Sequence, residues 1–290
     1  MPDRDHLKGT VLEKKDFGTL FLVISAVCWS LGGLLVKSVE WNAISLVTAR
    51  GLISFLIYLF LVDIRGLKLN AVKIISAFCY FMEGIFLILA NKYTTSGCAT
   101  ALQNAAPLFI ILLFAVVLKV KPQKIDLFTC FLLLVGICLC LMGGFKEGKV
   151  LGNIFGIISA MFYAGVFFTN SLKGSNALES LLLGNLMYAV LIPVMIKDPA
   201  IPQSSGKDIA CVAAFCLLTG TVAWYCFSRG IKTTPALGAS FIVMLEPVLS
   251  PVWTRIFLGE KMSAGSVAGC IIVILTVIVY NVYKKKEVSV

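Results

Sequence analysis

The chain is short of charge, of histidine and of acidic groups inside its apolar runs. Only 14% of its 290 residues are charged, against about 25% in ordinary globular proteins. The one histidine, His6, sits in a charged N-terminal stretch, so His-ligated metal centres and His-based triads have no place in the apolar body. Asp63 and Asp126 lie at the edges of apolar runs and no aspartate lies in the middle of one. Intramembrane proteolysis by Ser–His or by paired aspartates is therefore left without a basis. No Gly-x-x-x-x-Gly-Lys-Ser/Thr loop occurs, so direct nucleotide hydrolysis lacks its phosphate cradle. Of ten cysteines, Cys28, Cys79, Cys130, Cys138, Cys140, Cys211, Cys216, Cys226 and Cys270 lie inside apolar runs and Cys98 begins one. No pair has metal-finger spacing, and they read as small apolar fillers. No enzyme activity, metal or cofactor is expected.

What the chain has in excess is apolar surface. Hydrophobic residues make up 59% and the mean hydropathy is +0.95. A spanning helix needs about 20 mostly apolar residues, so ten spans would take roughly 200, leaving no room for a sizeable soluble domain. Barrel strands would alternate apolar and polar residues, whereas Ile271–Val279 is apolar on every side. The expectation is an all-α polytopic membrane protein. The apolar runs lie at about 17–36, 44–62, 72–91, 97–118, 126–143, 152–170, 178–196, 208–228, 236–257 and 264–283. The first is too long for a signal-peptide core and no cleavage-like site follows it, so it is kept as a helix.

Basic residues in alternate loops test this count. With the N-terminus inside, inner segments carry Arg4, Lys8, Lys14, Lys15, Arg65, Lys68, Lys73, Lys119, Lys121, Lys124, Lys173, Arg229, Lys232, Lys284, Lys285 and Lys286. Outer segments carry only Lys37, Lys92, Lys146, Lys149, Lys197, Lys207 and Lys261. This asymmetry predicts a multi-pass protein of the cytoplasmic membrane with both termini in the cytoplasm. The net charge of +10 is then an orientation signal with attraction to anionic lipid, and nucleic acid is not an expected partner.

The chain also repeats itself weakly. Lys92-Tyr-Thr94-Thr through Pro107 matches Lys232-Thr-Thr234-Pro through Pro247 at an offset of 140, and Lys121 falls on Lys261. Ser25-Ala26 with Trp29 matches Ser159-Ala160 with Tyr163 at an offset of 134. The division expected is a tail 1–16, a first five-helix half 17–143, a link 144–151, a second half 152–283 and a tail 284–290. Five is odd, so the second half enters the membrane upside down. Inverted halves can exchange conformations, the physical basis of alternating access around a site at mid-depth.

Trp29-Ser-Leu-Gly-Gly-Leu-Leu-Val-Lys37, then Thr48-Ala-Arg50-Gly, and above all Leu245-Glu-Pro-Val-Leu-Ser-Pro-Val-Trp253 with Phe257-Leu-Gly-Glu-Lys261, resemble the EamA-type carriers of the drug/metabolite transporter superfamily. The likeness covers about 17–283. The first-half signature departs from the pattern, with Leu118-Lys-Val-Lys-Pro122 where Leu-Gly-Glu is expected. The resemblance implies two inverted five-helix repeats and a cavity lined by the first, third and fourth helices of each. It also implies outward movement of amino acids or related metabolites without ATP.

Charge within a bilayer costs about 2.5–3.5 kcal/mol on insertion scales, so it marks function by default. Glu83, mid-span in the third helix, has no acidic counterpart in the second half and departs from the family pattern. It could exchange protons, bind a cationic substrate, or belong to a structural ion pair. Glu246 precedes Pro247, and Pro247 and Pro107 break their helices at equivalent places, freeing the carbonyls of Val243 and Gln103. Gln103, Asn104 and Thr100 lie near Pro107, and Ser240 near Glu246. Arg50 is expected to gate or to brace the fold; Arg255 with Glu260 reads as interfacial.

Trp29 and Tyr163 are matched positions, Tyr80 shares a helical face with Glu83, and Trp224 and Tyr225 sit mid-span. Aromatic faces beside carboxylates suit an organic cation or an amino acid, although most of the 32 aromatics must simply face lipid or pack. Gly32-Gly33, Gly143-Gly144, Gly152/Gly156 and Gly265/Gly269 permit close helix contact and leave a homodimer open. The leading expectation is a secondary carrier exporting a small metabolite, with protons as a coupling ion. An uptake carrier is the runner-up. A non-transporting receptor or assembly subunit would need a soluble face, and the longest loop, Asp198–Lys207, is ten residues.

Overall fold

The computed structural model describes residues 18–119, 121–147, 149–233, 242–243 and 245–288. Thr234 and Ser240, and the tails through 17 and from 289, lie outside the described residues. Among those described there is no strand. The helices are α1 (Gly18–Lys37), α2 (Ala43–Leu61), α3 (Ala71–Tyr93), α4 (Ser96–Val117), α5 (Lys124–Glu147), α6 (Val150–Asn170), α7 (Ala177–Ile196), α8 (Gly206–Ile231), α9 (Leu245–Leu258) and α10 (Ala264–Val288). Seven of them, α1–α4 and α6–α8, are long and apolar enough to cross a membrane. The protein is a multi-pass membrane protein.

Short polar residues start the helices where the apolar runs begin. Asn42, Asn70 and Thr95 accept the backbone N–H of Ser45, Lys73 and Cys98, and Ser205 forms a capping box with Asp208. Each such cap is worth about 1 kcal/mol. One boundary differs from the sequence reading. The expected link at 144–151 is mostly helix, because α5 runs through Gly143-Gly144 to Glu147 and α6 begins at Val150. Glycine weakens a helix without ending it, and no proline stands there to do so.

α3 packs along α6 and α7, α5 along α10, α2 along α7 and α8, and α9 against α4 and α1. Tyr58, Tyr80, Tyr188, Leu22, Leu46 and Val47 are fully buried where α1–α3 meet α7 and α8. Leu102, Leu133 and Val273 form a second core among α4, α5 and α10. Gly152, Gly156 and Gly269 make close helix contacts within the chain. A Cβ on Gly152 would strike Thr94 and one on Gly156 would press Leu102 at 3.1 Å, while Gly136 lies 3.1 Å from the Gly269 carbonyl by the same measure.

Three helices are interrupted at mid-depth. α4 turns at Asn104–Ala105 before restarting with Pro107 in its first turn. α7 passes through a 3-10 turn at Tyr188–Leu191 ahead of Pro193. α8 widens into a π-helix over Phe215–Val222. Neighbours accept the consequences: Tyr58 donates to the Thr221 carbonyl (3.0 Å), Ser25 to the Ala223 carbonyl (2.9 Å), and Ser54 and Thr221 share a hydroxyl contact at 3.0 Å. Non-ideal helix at bilayer depth is tolerated where other helices satisfy the freed groups.

Two sets of polar ties close the bundle at its ends. At one end Lys37 pairs with Glu260 (2.8 Å), Asn42 N–H donates to Asp198 (2.9 Å), Trp41 to Ser204 (2.6 Å) and Thr94 to Asn153 (2.6 Å). At the other Lys73 pairs with Glu179, Asn70 donates to the Gly174 carbonyl (2.9 Å) and Tyr280 to Asp126 (2.8 Å). These are called the Lys37 end and the Lys73 end below.

Candidate substrate cavity

A cavity lies at mid-depth beside the interruptions of α4 and α8. α1 contributes Trp29, Gly32, Gly33 and Val36, one helical stripe. α3 adds Glu83, Leu87, Ile88 and Asn91, and α4 adds Thr100 and Gln103. Arg50 enters from α2, Tyr163 from α6, Phe215, Thr219 and Trp224 from α8, and Glu246 from α9. Its free interior is about 30 Å³, room for about two waters.

Glu83, 1% exposed, is held from two sides. Gln103 Nε2 donates to its Oε1 and reaches Ser159 Oγ at 3.3 Å, and Ser159 Oγ donates to the Glu83 carbonyl at 3.2 Å. Glu83 Oε2 is buried without a partner. The break in α4 supplies this geometry, since Gln103 closes the helix before the turn ahead of Pro107. Asn91 lies two turns along α3 and donates to the Leu87 carbonyl (3.0 Å), leaving its Oδ1 unpaired.

Arg50 faces three rings. Its guanidinium carbon lies 5.9 Å from the centres of Tyr80 and Tyr188 and 6.0 Å from that of Phe215, within cation–π range. Nη2 donates to Tyr188 Oη at 3.3 Å, which itself donates to the Phe81 carbonyl at 3.0 Å. Arg50 Nε is buried with no acceptor. Sequence reasoning assigned this arginine to gating or bracing; the structure places it in the cavity wall, opposite the two carboxyl side chains in charge.

Toward the Lys73 end the cavity rests on aromatic rings. Trp224 meets Trp29 edge-on at 5.0 Å, Tyr80 at 4.9 Å and Phe227 at 5.8 Å, and Tyr163 meets Phe167 at 4.9 Å. Such pairs are worth about 0.5–1.5 kcal/mol each beyond their burial. Beneath them a smaller cavity of about 10 Å³ is lined by Ser76, Asn170, Ser180 and Ser228.

Of the residues singled out from sequence, Trp29, Glu83, Gln103, Tyr163, Trp224, Glu246 and Thr100 meet at the cavity. Tyr80 stands behind the ring layer, donating to Asn185 at 3.1 Å. Asn104 turns back onto the Thr100 carbonyl at 2.9 Å. Tyr225 lies away from the cavity under Arg229, 5.2 Å from ring centre to guanidinium. Pro107 and Pro247 are in helices that reach the cavity; Pro247 stands in the first turn of α9, and residues 234–241 and 244 before it are outside the described residues. Sequence reasoning missed Asn91, Ser159, Phe215, Thr219 and Tyr188. The eight-residue spacing from Glu83 could have signalled Asn91; nothing local signals the π segment that turns Phe215 and Thr219 inward.

A model of the EamA-like transporter family matches residues 16–142 and again 150–282. The chain belongs to that family. It is thereby a member of the drug/metabolite transporter superfamily and a membrane transporter. An uncharacterized transporter of Archaeoglobus fulgidus is 26% identical over 213 residues, covering 70% of this chain and 73% of its own. The uncharacterized transporter YcbK of Bacillus subtilis is 24% identical over 282 residues, covering 87% and 89%. A solved structure described only as a crystal structure of protein superposes with a TM-score of 0.64 at 17% identity, covering 92% of this chain and 97% of that one. That likeness concerns the fold of this EamA-like chain alone.

Proposed function

We propose that this transporter is a secondary carrier for a small α-amino acid, built as ten spans in two inverted five-helix halves and exporting from the cytoplasm. The observation that carries the substrate class is the set of buried polar atoms left unpaired in the cavity wall. Glu83 Oε2 and Asn91 Oδ1 are acceptors and Arg50 Nε is a donor. Buried groups of this kind cost about 1–3 kcal/mol each unless something pairs with them. An ammonium and a carboxylate on one carbon supply both complements, and the Trp29, Tyr163 and Trp224 faces suit an apolar side chain. Glu83 and Glu246 against Arg50 leave one surplus negative charge when all are ionised. A proton on one carboxyl neutralises it, whereas a zwitterion adds no net charge, which gives movement of a proton with the substrate a physical basis.

The two-fold organisation is supported by the helix contacts. Advancing each helix by five converts α1–α8 into α6–α3, α3–α7 into α8–α2, and α1–α9 into α6–α4, all of which are packed pairs; α2–α7, α4–α9 and α5–α10 map onto themselves. Arg50 of α2 and Tyr188 of α7 touch across this self-mapped pair. The end ties agree with alternating passage, since each joins helix ends that the basic-residue bias puts on one side. That bias places the Lys37 end outside and both termini in the cytoplasm. A cavity with room for about two waters must widen to admit an amino acid, so transport on this reading needs a conformational change around it.

The test is a thermal-stabilisation panel followed by counterflow in proteoliposomes. Each amino acid is compared with its decarboxylated amine and its deaminated acid; bound ligand raises the apparent Tm by mass action. The expected order is zwitterion first, amine second, acid last. Amines that equal the amino acids would make the substrate an organic cation, and the absence of any flux would remove the carrier.

A further inference from the structure

We propose that the Lys37–Glu260 pair is the latch of the gate at its end of the cavity, and that this gate, unlike the opposite one, is ionic. The inference rests on the carrier reading above and adds the device that opens one side of it.

The pair joins the last residue of α1 to the turn after α9. Gly259 ends α9 with φ +65°, a conformation that glycine adopts without strain. This carries Glu260 back over the bundle. Its Oε1 takes Lys37 Nζ at 2.8 Å and its Oε2 accepts the Ser96 N–H at 3.1 Å, while the same Lys37 Nζ donates to the Thr94 carbonyl at 2.7 Å. One carboxylate and one ammonium thus hold the ends of α1, α3 and α9 and the start of α4 together. All four helices line the cavity directly beneath.

Between the pair and the cavity there is little else. Ser96 and Ser250 share a hydroxyl contact at 2.7 Å. α1 comes so close to α4 at Gly33 that a Cβ there would lie 2.7 Å from Ser96 Cβ and 2.9 Å from Asn91 Oδ1. Gly33, Val36 and Asn91 already belong to the cavity wall. Separating the ion pair and the serine hydroxyls releases α9 from α1 and α4 on this side, while Lys92 to the Val39 carbonyl and Thr94 to Asn153 still tie α3 to its other neighbours.

Among the described residues the latch has no counterpart at the other end. By the repeat offsets of 134 and 140, Lys37 corresponds to Ser171 and Glu260 to Val120, neither of which is charged. This gives the departure of the first-half signature a meaning, since Val120 stands where the second half has its latch carboxylate. The Lys73–Glu179 pair at that end joins α3 to α7, below the aromatic layer, and spans no opening between α6 and α4.

The test uses the full-length protein with Asn91→Cys as reporter. The rate at which a cationic methanethiosulfonate modifies position 91 is read by mass spectrometry, with Val36→Cys as a second reporter. Lys37→Met and Glu260→Gln should each raise the rate roughly two- to fivefold, the population shift expected from losing one partly exposed ion pair. Lys37→Arg and Lys73→Met should leave it unchanged. Equal rates in all variants, or an equal rise with Lys73→Met, would overturn the latch. Counterflow of Lys37→Met and Glu260→Gln in the chain that keeps Val36 and Asn91 separates the two claims: normal flux there with unaltered labelling in the reporter chains defeats the latch alone, and altered labelling with no flux in the unsubstituted protein defeats the carrier alone.

Discussion

The two ends of the cavity are closed by different chemistry. At the Lys37 end a short stack of a serine pair, a glycine contact and one ion pair lies over the cavity. At the Lys73 end several interlocked rings come first, with Trp224 touching four of them, and the Lys73–Glu179 pair stands beyond. Ion pairs near a surface contribute about 0–1 kcal/mol, and this one is partly buried, whereas each aromatic contact adds about 0.5–1.5 kcal/mol to its burial. The difference makes one closure thin and salt-sensitive and the other thick and apolar. Two halves with related sequences thus close the cavity unequally.

The sharpest way to break this comparison is to remove the ring at its centre. Trp224→Ala should lower stability by about 3–5 kcal/mol, seen as a fall in the apparent Tm in detergent, and should make liposomes leak small solutes. A shift typical of a surface site would show that the rings are not a packed floor. Next in size, Gly33→Val should cost about 1–3 kcal/mol through overpacking against Ser96. It should also raise labelling at position 91; a neutral result in both readouts would mean that α1 and α4 do not meet as closely as described.

Glu83→Gln keeps the hydrogen-bonding shape, so its effect should be functional. Counterflow should fall at least about tenfold, or lose its pH response, while the apparent Tm moves by no more than about 1–2 kcal/mol equivalent. Unaltered flux across pH would take Glu83 out of the mechanism. Smallest of all is a titration at the Lys37 end. Burial raises the Asp198 carboxyl, but backbone N–H groups of Asn42 and Ala200 donating to it outweigh this and hold it below its ordinary range. A depressed folded value means stability present above the unfolded pKa of about 3.9 and lost as pH falls through the folded one. The contribution of wild type over Asp198→Asn should therefore be flat from pH 7 to 5 and fade below about pH 4. A fade centred above pH 5 would contradict the hydrogen-bonded geometry.

Much of the site was legible residue by residue. Glu83 stood out because a carboxylate in an apolar run is costly, and Trp29 and Tyr163 because the repeat matched them; all three meet at the cavity. Tyr225 did not follow, because its mid-span position was visible but the side of α8 it occupies depends on the π turn before it. Tyr188 was invisible for a related reason: its partner Arg50 is 138 positions away, and only a two-fold contact between α2 and α7 brings them together. Arg50 looked like a brace, and bracing rings do surround it, yet it also faces the cavity.

Composition and periodicity alone determined that this polypeptide buries itself in lipid as helices, because apolar runs of spanning length admit no other way to satisfy their backbone. The internal repeat determined that two similar halves must share the work. Tertiary structure alone decided which polar atoms would be left unpaired at the centre, and which end would be held by charge and which by rings. Those depend on helix rotation and on interruptions at Asn104, Tyr188 and Phe215, where small changes in backbone turn set which side chains meet.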